Sequence, residues 1–213
     1  MMWRQTVRIA TLVAAVVLVV AADGCVAVPS DSASLGPTGS SLALPAGSQM
    51  CSVASADLDG VGSPETVALV GYGGSTERLG YDWLELLVFG ETTAKSQVVW
   101  RSGRLAGDRS EPLQLRDLNQ DGRPEVLCIQ ALGAAGETLQ VFGWLGQSYG
   151  AYAPHGGHFD GLACFGDDGV RIEDLDGDGL VEIIAHYGPA ASQGDVYRWD
   201  GKSYVYSETL KSE

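Results

Sequence analysis

The chain has 213 residues, and 27 acidic against 13 basic side chains give it a formal charge of −14 at pH 7. A surface that negative repels polyanions, which excludes nucleic acid and anionic lipid as natural partners. With 45% hydrophobic residues the length is enough for one domain with its own core rather than a disordered chain.

Positions 1–24 read as an export signal. Arg4 and Arg8 form a short basic start, and residues 9–22 are an apolar run too short for a comfortable membrane span, which takes about 20 residues. The run ends in Ala22-Asp23-Gly24-Cys25, which resembles the lipobox of bacterial lipoproteins and makes Cys25 the expected lipidation site. The alternative is ordinary cleavage after Ala22 or Ala27, giving a secreted protein. On either path the chain is expected to be exported, and any membrane attachment is expected through the lipid alone. Residues 25–48, rich in Ser, Pro, Gly and Ala and without periodicity, read as a flexible tether.

Residues 49–213 are left as the folded domain. Removing residues 1–24 leaves 11 basic and 26 acidic side chains, a charge of −15, and ten of those acids fall in three short loops. Apart from Cys25 the cysteines are Cys51, Cys128 and Cys164. One pair could bridge in an oxidising compartment, though Cys128 lies in the apolar run Val126-Leu127-Cys128-Ile129 and reads as a small buried thiol. No Cys-x-x-Cys spacing supports zinc-ribbon or thioredoxin-like chemistry.

The organising motif is Asp174-Leu175-Asp176-Gly177-Asp178-Gly179-Leu180-Val181-Glu182. Oxygen-bearing side chains at alternate positions, a glycine for the sharp bend and a closing carboxylate suit a hard cation such as Ca²⁺, which takes six to eight oxygen ligands. The expected ligands are Asp174, Asp176, Asp178, the carbonyl of Leu180, and Glu182. Two gapless copies precede it. The second loop offers Asp117, Asn119, Asp121, Arg123 (at the carbonyl position) and Glu125. The first offers Asp57, Asp59 and Glu65 but has Val61 where a carboxylate is wanted, so it is expected to be the weak one. The copies open at Asp57, Asp117 and Asp174, and so regular a recurrence marks a repeat architecture.

Each loop is followed by a short apolar or β-branched run ended by glycine, the signature of a buried strand. An EF-hand is rejected because its twelfth loop position needs Glu, whereas Ala68, Cys128 and Ala185 stand there. Trp144-Leu145-Gly146-Gln147-Ser148-Tyr149 returns one unit later as Trp199-Asp200-Gly201-Lys202-Ser203-Tyr204, and its Asp-Gly step is a hairpin signal. Four strands per unit are expected: 49–54, 65–71, 83–89 and 97–100 in the first; 113–116, 125–131, 138–144 and 149–153 in the second; 169–173, 182–187, 195–199 and 204–207 in the third. The units run over about 49–109, 110–164 and 165–213. Four-stranded units are the blades of β-propellers.

The pattern Asp-x-(Asp/Asn)-x-Asp-Gly-x-x-Glu before a strand resembles the FG-GAP and VCBS repeats of integrin-type β-propellers. Phe165-Gly166 ahead of the third loop and Gly188-Pro189 after its strand echo the same family. The resemblance implies an all-β fold of propeller-like four-stranded blades; a propeller closes with about 4–8 blades and three are present, so an open three-blade stack, a distorted compact β domain, or part of a ring completed by another copy through self-association is expected. It also implies calcium-stabilised blades outside the cytoplasm that serve adhesion or the binding of a protein or glycan. The family's last ligand is usually Asp, whereas all three units here carry Glu.

Other candidates are bland beside the loops. His155, His158 and Asp160 could hold a transition metal but sit on a glycine-rich connection, and His186 falls within a strand. Tyr72, Tyr81, Trp83, Tyr149, Tyr152 and Tyr187 suit either ligand stacking or packing between units. No nucleophile elbow, His-Glu-x-x-His or phosphate loop is present, so no catalytic residue is expected. A hydrolase-like or accessory enzyme domain is the first alternative. A dockerin-like module is the second, disfavoured because its loops precede helices at shorter spacing.

Overall fold

A computed structural model describes residues 42–74, 80–92, 95–105, 107–132, 136–152, 156, 163–165 and 169–211. Cys25, the signal segment, Gly166, and the His155, His158 and Asp160 group lie outside the described residues. Within them the structure is all-β, with one 3₁₀ turn at Pro189–Ala191 and no α-helix. No helix among these residues is long and apolar enough to cross a membrane.

Three antiparallel sheets follow one another along the chain. The first has strands β1 (Ser48–Ala56), β2 (Glu65–Tyr72), β3 (Trp83–Thr92) and β4 (Lys95–Arg101), in that order. The second holds β5 (Arg109–Ser110), β6 (Gln114–Arg116), β7 (Glu125–Leu132), β8 (Gly136–Trp144), β9 (Tyr149–Ala151) and β10 (Ala163–Phe165). Its six strands occupy four lanes, since β5 and β6 both pair with one edge of β7 while β9 and β10 both pair with one edge of β8. The third is β11 (Val170–Glu173), β12 (Glu182–Tyr187), β13 (Gln193–Trp199) and β14 (Tyr204–Lys211), again in chain order. The strand expectations hold to within a few residues at each end. β5 and β10 were not foreseen, because two or three residues give no periodicity to read.

The sheets stack face to face, and the alternation of side chains along each strand decides which neighbour a residue meets. In β7, Val126 and Cys128 join β2 residues Val67 and Leu69 in one core, while Leu127 enters a second core with β12 residues Ile183 and Ala185. A strand buried on both faces favours apolar residues at successive positions, which explains the run Val126-Leu127-Cys128-Ile129. Burial pushes that thiol up to about 12, and no bridge joins Cys128 to Cys51.

The leucine at the second position of each loop reports the stacking order. Leu58 is 1% exposed in the core between the first and second sheets, and Leu118 is 0% exposed in the core between the second and third. Leu175, in the third loop, is 39% exposed. On that outer side Arg198 lies 3.4 Å from both Glu182 and Glu208.

The outer side of the first sheet is covered differently. Leu42, Leu44 and Met50 pack on Ala68, Val70, Leu87 and Phe89. The stretch expected as tether up to residue 48 therefore ends earlier, since its last leucines are bound to the domain. A Ser-, Pro- and Ala-rich composition hides two apolar anchors that only the outer face of the sheet makes useful.

Candidate metal centre

The three loops join the first and second lanes of their sheets, between β1 and β2, β6 and β7, and β11 and β12. Each uses the same backbone device. The fourth and sixth positions take left-handed dihedrals: Gly60 and Gly62 at φ 77° and 92°, Gln120 and Gly122 at 58° and 84°, Gly177 and Gly179 at 78° and 88°. Glycine adopts this region freely, whereas Gln120 does so at a cost of roughly 1–2 kcal/mol.

These turns point amides inward, and the first-position carboxylate collects them. Asp57 accepts from Gly60 and Gly62 at 2.9 Å each, and Asp174 accepts from Gly177 at 2.7 Å and Gly179 at 3.0 Å. Asp117 accepts from Gly122 at 3.0 Å. The third-position oxygens of Asp59, Asn119 and Asp176 each accept the amide two residues on, at 2.9, 3.0 and 3.2 Å. The closing glutamates are buried and accept the second-position amide: Glu65 from Leu58 at 2.9 Å, Glu125 from Leu118 at 2.8 Å, Glu182 from Leu175 at 2.7 Å.

Chemistry separates the loops that geometry makes alike. Carboxylate oxygens of Asp57, Asp59 and Glu65 lie within 4.8 Å of one another, and so do those of Asp174, Asp176 and Glu182. Converging hard oxygens at that spacing, one of them buried, fit a divalent cation such as Ca²⁺. In the third loop Asp178 accepts the amide of Leu180 at 2.8 Å, leaving the Leu180 carbonyl beside the cluster in sequence. The second loop differs. Asp121 accepts from the Arg123 guanidinium, with Nη2 at 2.5 Å, and Asn119 donates to Glu125 at 3.1 Å.

Burial, with Asp59 and Asp57 nearby, raises the Glu65 carboxyl, opposed by the bond from Leu58. Burial raises Glu125 to about 7, again opposed by an amide bond, from Leu118. The hydrogen bonds from Arg123 lower Asp121.

Tyrosines from the following sheet lean over two of the closing glutamates, which sequence reasoning missed. Tyr149 of β9 is pushed above the ordinary range by burial and then by Glu65, Asp59 and Asp57 of the first loop. Tyr204 of β14 is pushed up by burial and then by Glu125 and Glu182. The signal that could have found them was the Trp–Tyr repeat itself, since its tyrosines stand at similar distances after the loops.

The other aromatic candidates are absorbed by packing. Tyr72 stacks on Trp83 at 3.7 Å and donates to buried Glu85 at 2.8 Å. Tyr81 is in the first core and Tyr152 in the second, where Tyr152 meets Trp199 edge-on at 5.2 Å. Tyr187 donates to buried Asp195 at 3.1 Å, and His186 sits half-buried in β12 beside Gly194.

No family model, no curated protein and no solved structure matches the chain.

Proposed function

We propose that the chain is an exported, calcium-stabilised binding or structural module, anchored by a lipid on Cys25, whose three sheets are FG-GAP-type blades of an open propeller. One observation carries the reading: a loop of fixed hydrogen-bond geometry recurs at the same place in all three sheets, and in the first and third its carboxylates converge. Asp57, Asp59 and Glu65 would hold one ion, and Asp174, Asp176, Asp178 and Glu182 another. The ion would supply positive charge to cancel carboxylate repulsion and cross-link the loop to its following strand. At a dissociation constant on the order of 10⁻⁴ M and about 1 mM calcium outside the cell, each site adds roughly 1.4 kcal/mol. The acidic surface favours an uncharged or basic partner, a protein or glycan, over nucleic acid.

EDTA is expected to lower the melting temperature of the wild type, and Asp176→Ala to remove much of that sensitivity. A melt indifferent to calcium and EDTA in both proteins refutes the cation. A second reading is favoured by the amide bonds each loop carboxylate already accepts: a metal-free array of Asx-turns, for which that indifference is the expected result. For the anchor, labelled fatty acid is expected on the wild type and absent from Cys25→Ser. Equal labelling of the two, or none in either, refutes it.

A further inference from the structure

We infer that Arg123 is the built-in cation of the second loop, so that the chain takes two calcium ions rather than three. The inference rests on the cation reading of the first and third loops and asks why the loop between them should differ. Three residues depart from the pattern of the other loops there, and each is engaged. Arg123 stands where the others have Ser63 and Leu180. Its Nε and Nη2 reach Asp121 at 3.2 and 2.5 Å, so the fifth-position carboxylate already has a counter-charge.

Asn119 stands where the others have Asp59 and Asp176. It turns its amide onto Glu125 at 3.1 Å while its oxygen holds the Asp121 amide at 3.0 Å. The closing carboxylate is thereby bonded on both oxygens, since its other one accepts from Leu118 at 2.8 Å.

Gln120 stands where the others have Gly60 and Gly177. It accepts a left-handed backbone at φ 58° and reaches sideways, so that a Cβ added at Gly179 of the third loop would collide with its amide. On the other side the Arg123 stem lies over the first loop, where a Cβ at Gly60 would sit 3.1 Å from its Cδ. The backbone adds a tie, Val181 N–H donating to the Leu118 carbonyl at 3.1 Å.

The second loop therefore touches both neighbours, through the Arg123 stem and the Gln120 side chain, while the polar groups of Asn119, Asp121, Arg123 and Glu125 are engaged with one another. Charge follows the same order. The third loop has four carboxylates and the first has three, while the second has three less one arginine. Affinity for Ca²⁺ is tuned by the charge count of the ligands, and a guanidinium beside the site works directly against it.

Calcium stoichiometry on the full-length chain, by titration calorimetry with calcium chloride, tests this. Two ions per chain are expected for the wild type. Three are expected for Arg123→Leu, which restores the residue type of the third loop. Arg123→Gln keeps a stem over Gly60 without the charge and is expected to give three as well, which covers a folding failure of the leucine variant. Three ions in the wild type overturn the inference and leave the cation reading standing. Two in the wild type and two in both folded variants overturn the role of Arg123. No binding in the wild type overturns the cation reading, and this inference with it.

Discussion

The leucine at the second loop position offers a controlled test of the stacking, because one residue type in one local geometry meets three environments. Leu118 is 0% exposed between the second and third sheets, and Leu175 is 39% exposed on the outer side of the third. Leu118→Ala removes buried methyl groups and leaves a cavity bounded by two sheets, which costs about 2–5 kcal/mol. Leu175→Ala loses only part of a transfer energy and leaves space that water fills, a cost of about 1 kcal/mol or less. For a domain of this size each kcal/mol moves the melting temperature by roughly 2–4 °C. A loss of about 3 kcal/mol at Leu118 thus lowers it by roughly 6–12 °C, against roughly 2–4 °C at most for Leu175. Urea titration of both variants, with calcium held constant, gives the energies directly, and an unchanged denaturant slope assigns them to stability. If Leu175→Ala costs as much as Leu118→Ala, another surface covers the third sheet and the end-of-stack reasoning fails.

Glu125→Gln is expected to flatten the pH dependence of stability in EDTA. Burial lifts Glu125 from the ordinary 4.5 to about 7, so between those values the folded chain keeps a proton that the unfolded chain has released. Stability from the neutral form is present below about 4.5 and lost as pH rises through about 7. The difference is worth at most about 3 kcal/mol, and about 1–2 kcal/mol after solvent screening at the loop; parallel urea midpoints for both proteins between pH 5 and 8 would contradict it. Replacing Leu42 and Leu44 together by serine uncovers Ala68, Val70, Leu87 and Phe89, and is expected to cost about 2–4 kcal/mol. A melting temperature equal to wild type would show that the stretch is a tether to its end.

Much of the fold was legible because its code is local. The three loops, the strands after them and the Asp200-Gly201 hairpin depend on glycine at left-handed positions and on β-branched runs, which neighbours in sequence impose. The same locality explains the misses. β10 pairs with β8 only after the chain has passed through β9 and the connection beyond it, and Leu42 and Leu44 find their sheet face in strands that sequence reading could place but not stack. The carboxylate geometry also groups the loops differently. Val61 made the first loop look eroded, yet Val61 is 75% exposed and its absence from the cluster leaves Asp57, Asp59 and Glu65 together. Arg123 looked harmless as a carbonyl donor, and only its side chain reveals what it does to Asp121.

The amino-acid sequence by itself determined that there are three units, that each is a β-sheet headed by an oxygen-rich turn, and that the strand after each turn is buried. Tertiary structure decided what each turn meets: the Arg123 stem and the Gln120 side chain reach the turns on either side of the second loop, and Tyr149 and Tyr204 come close to closing glutamates. The physical reason is range: dihedrals and alternation are set within a few residues, whereas the Arg123 stem lying over Gly60 or a tyrosine beside Glu65 exists only once separate sheets have stacked.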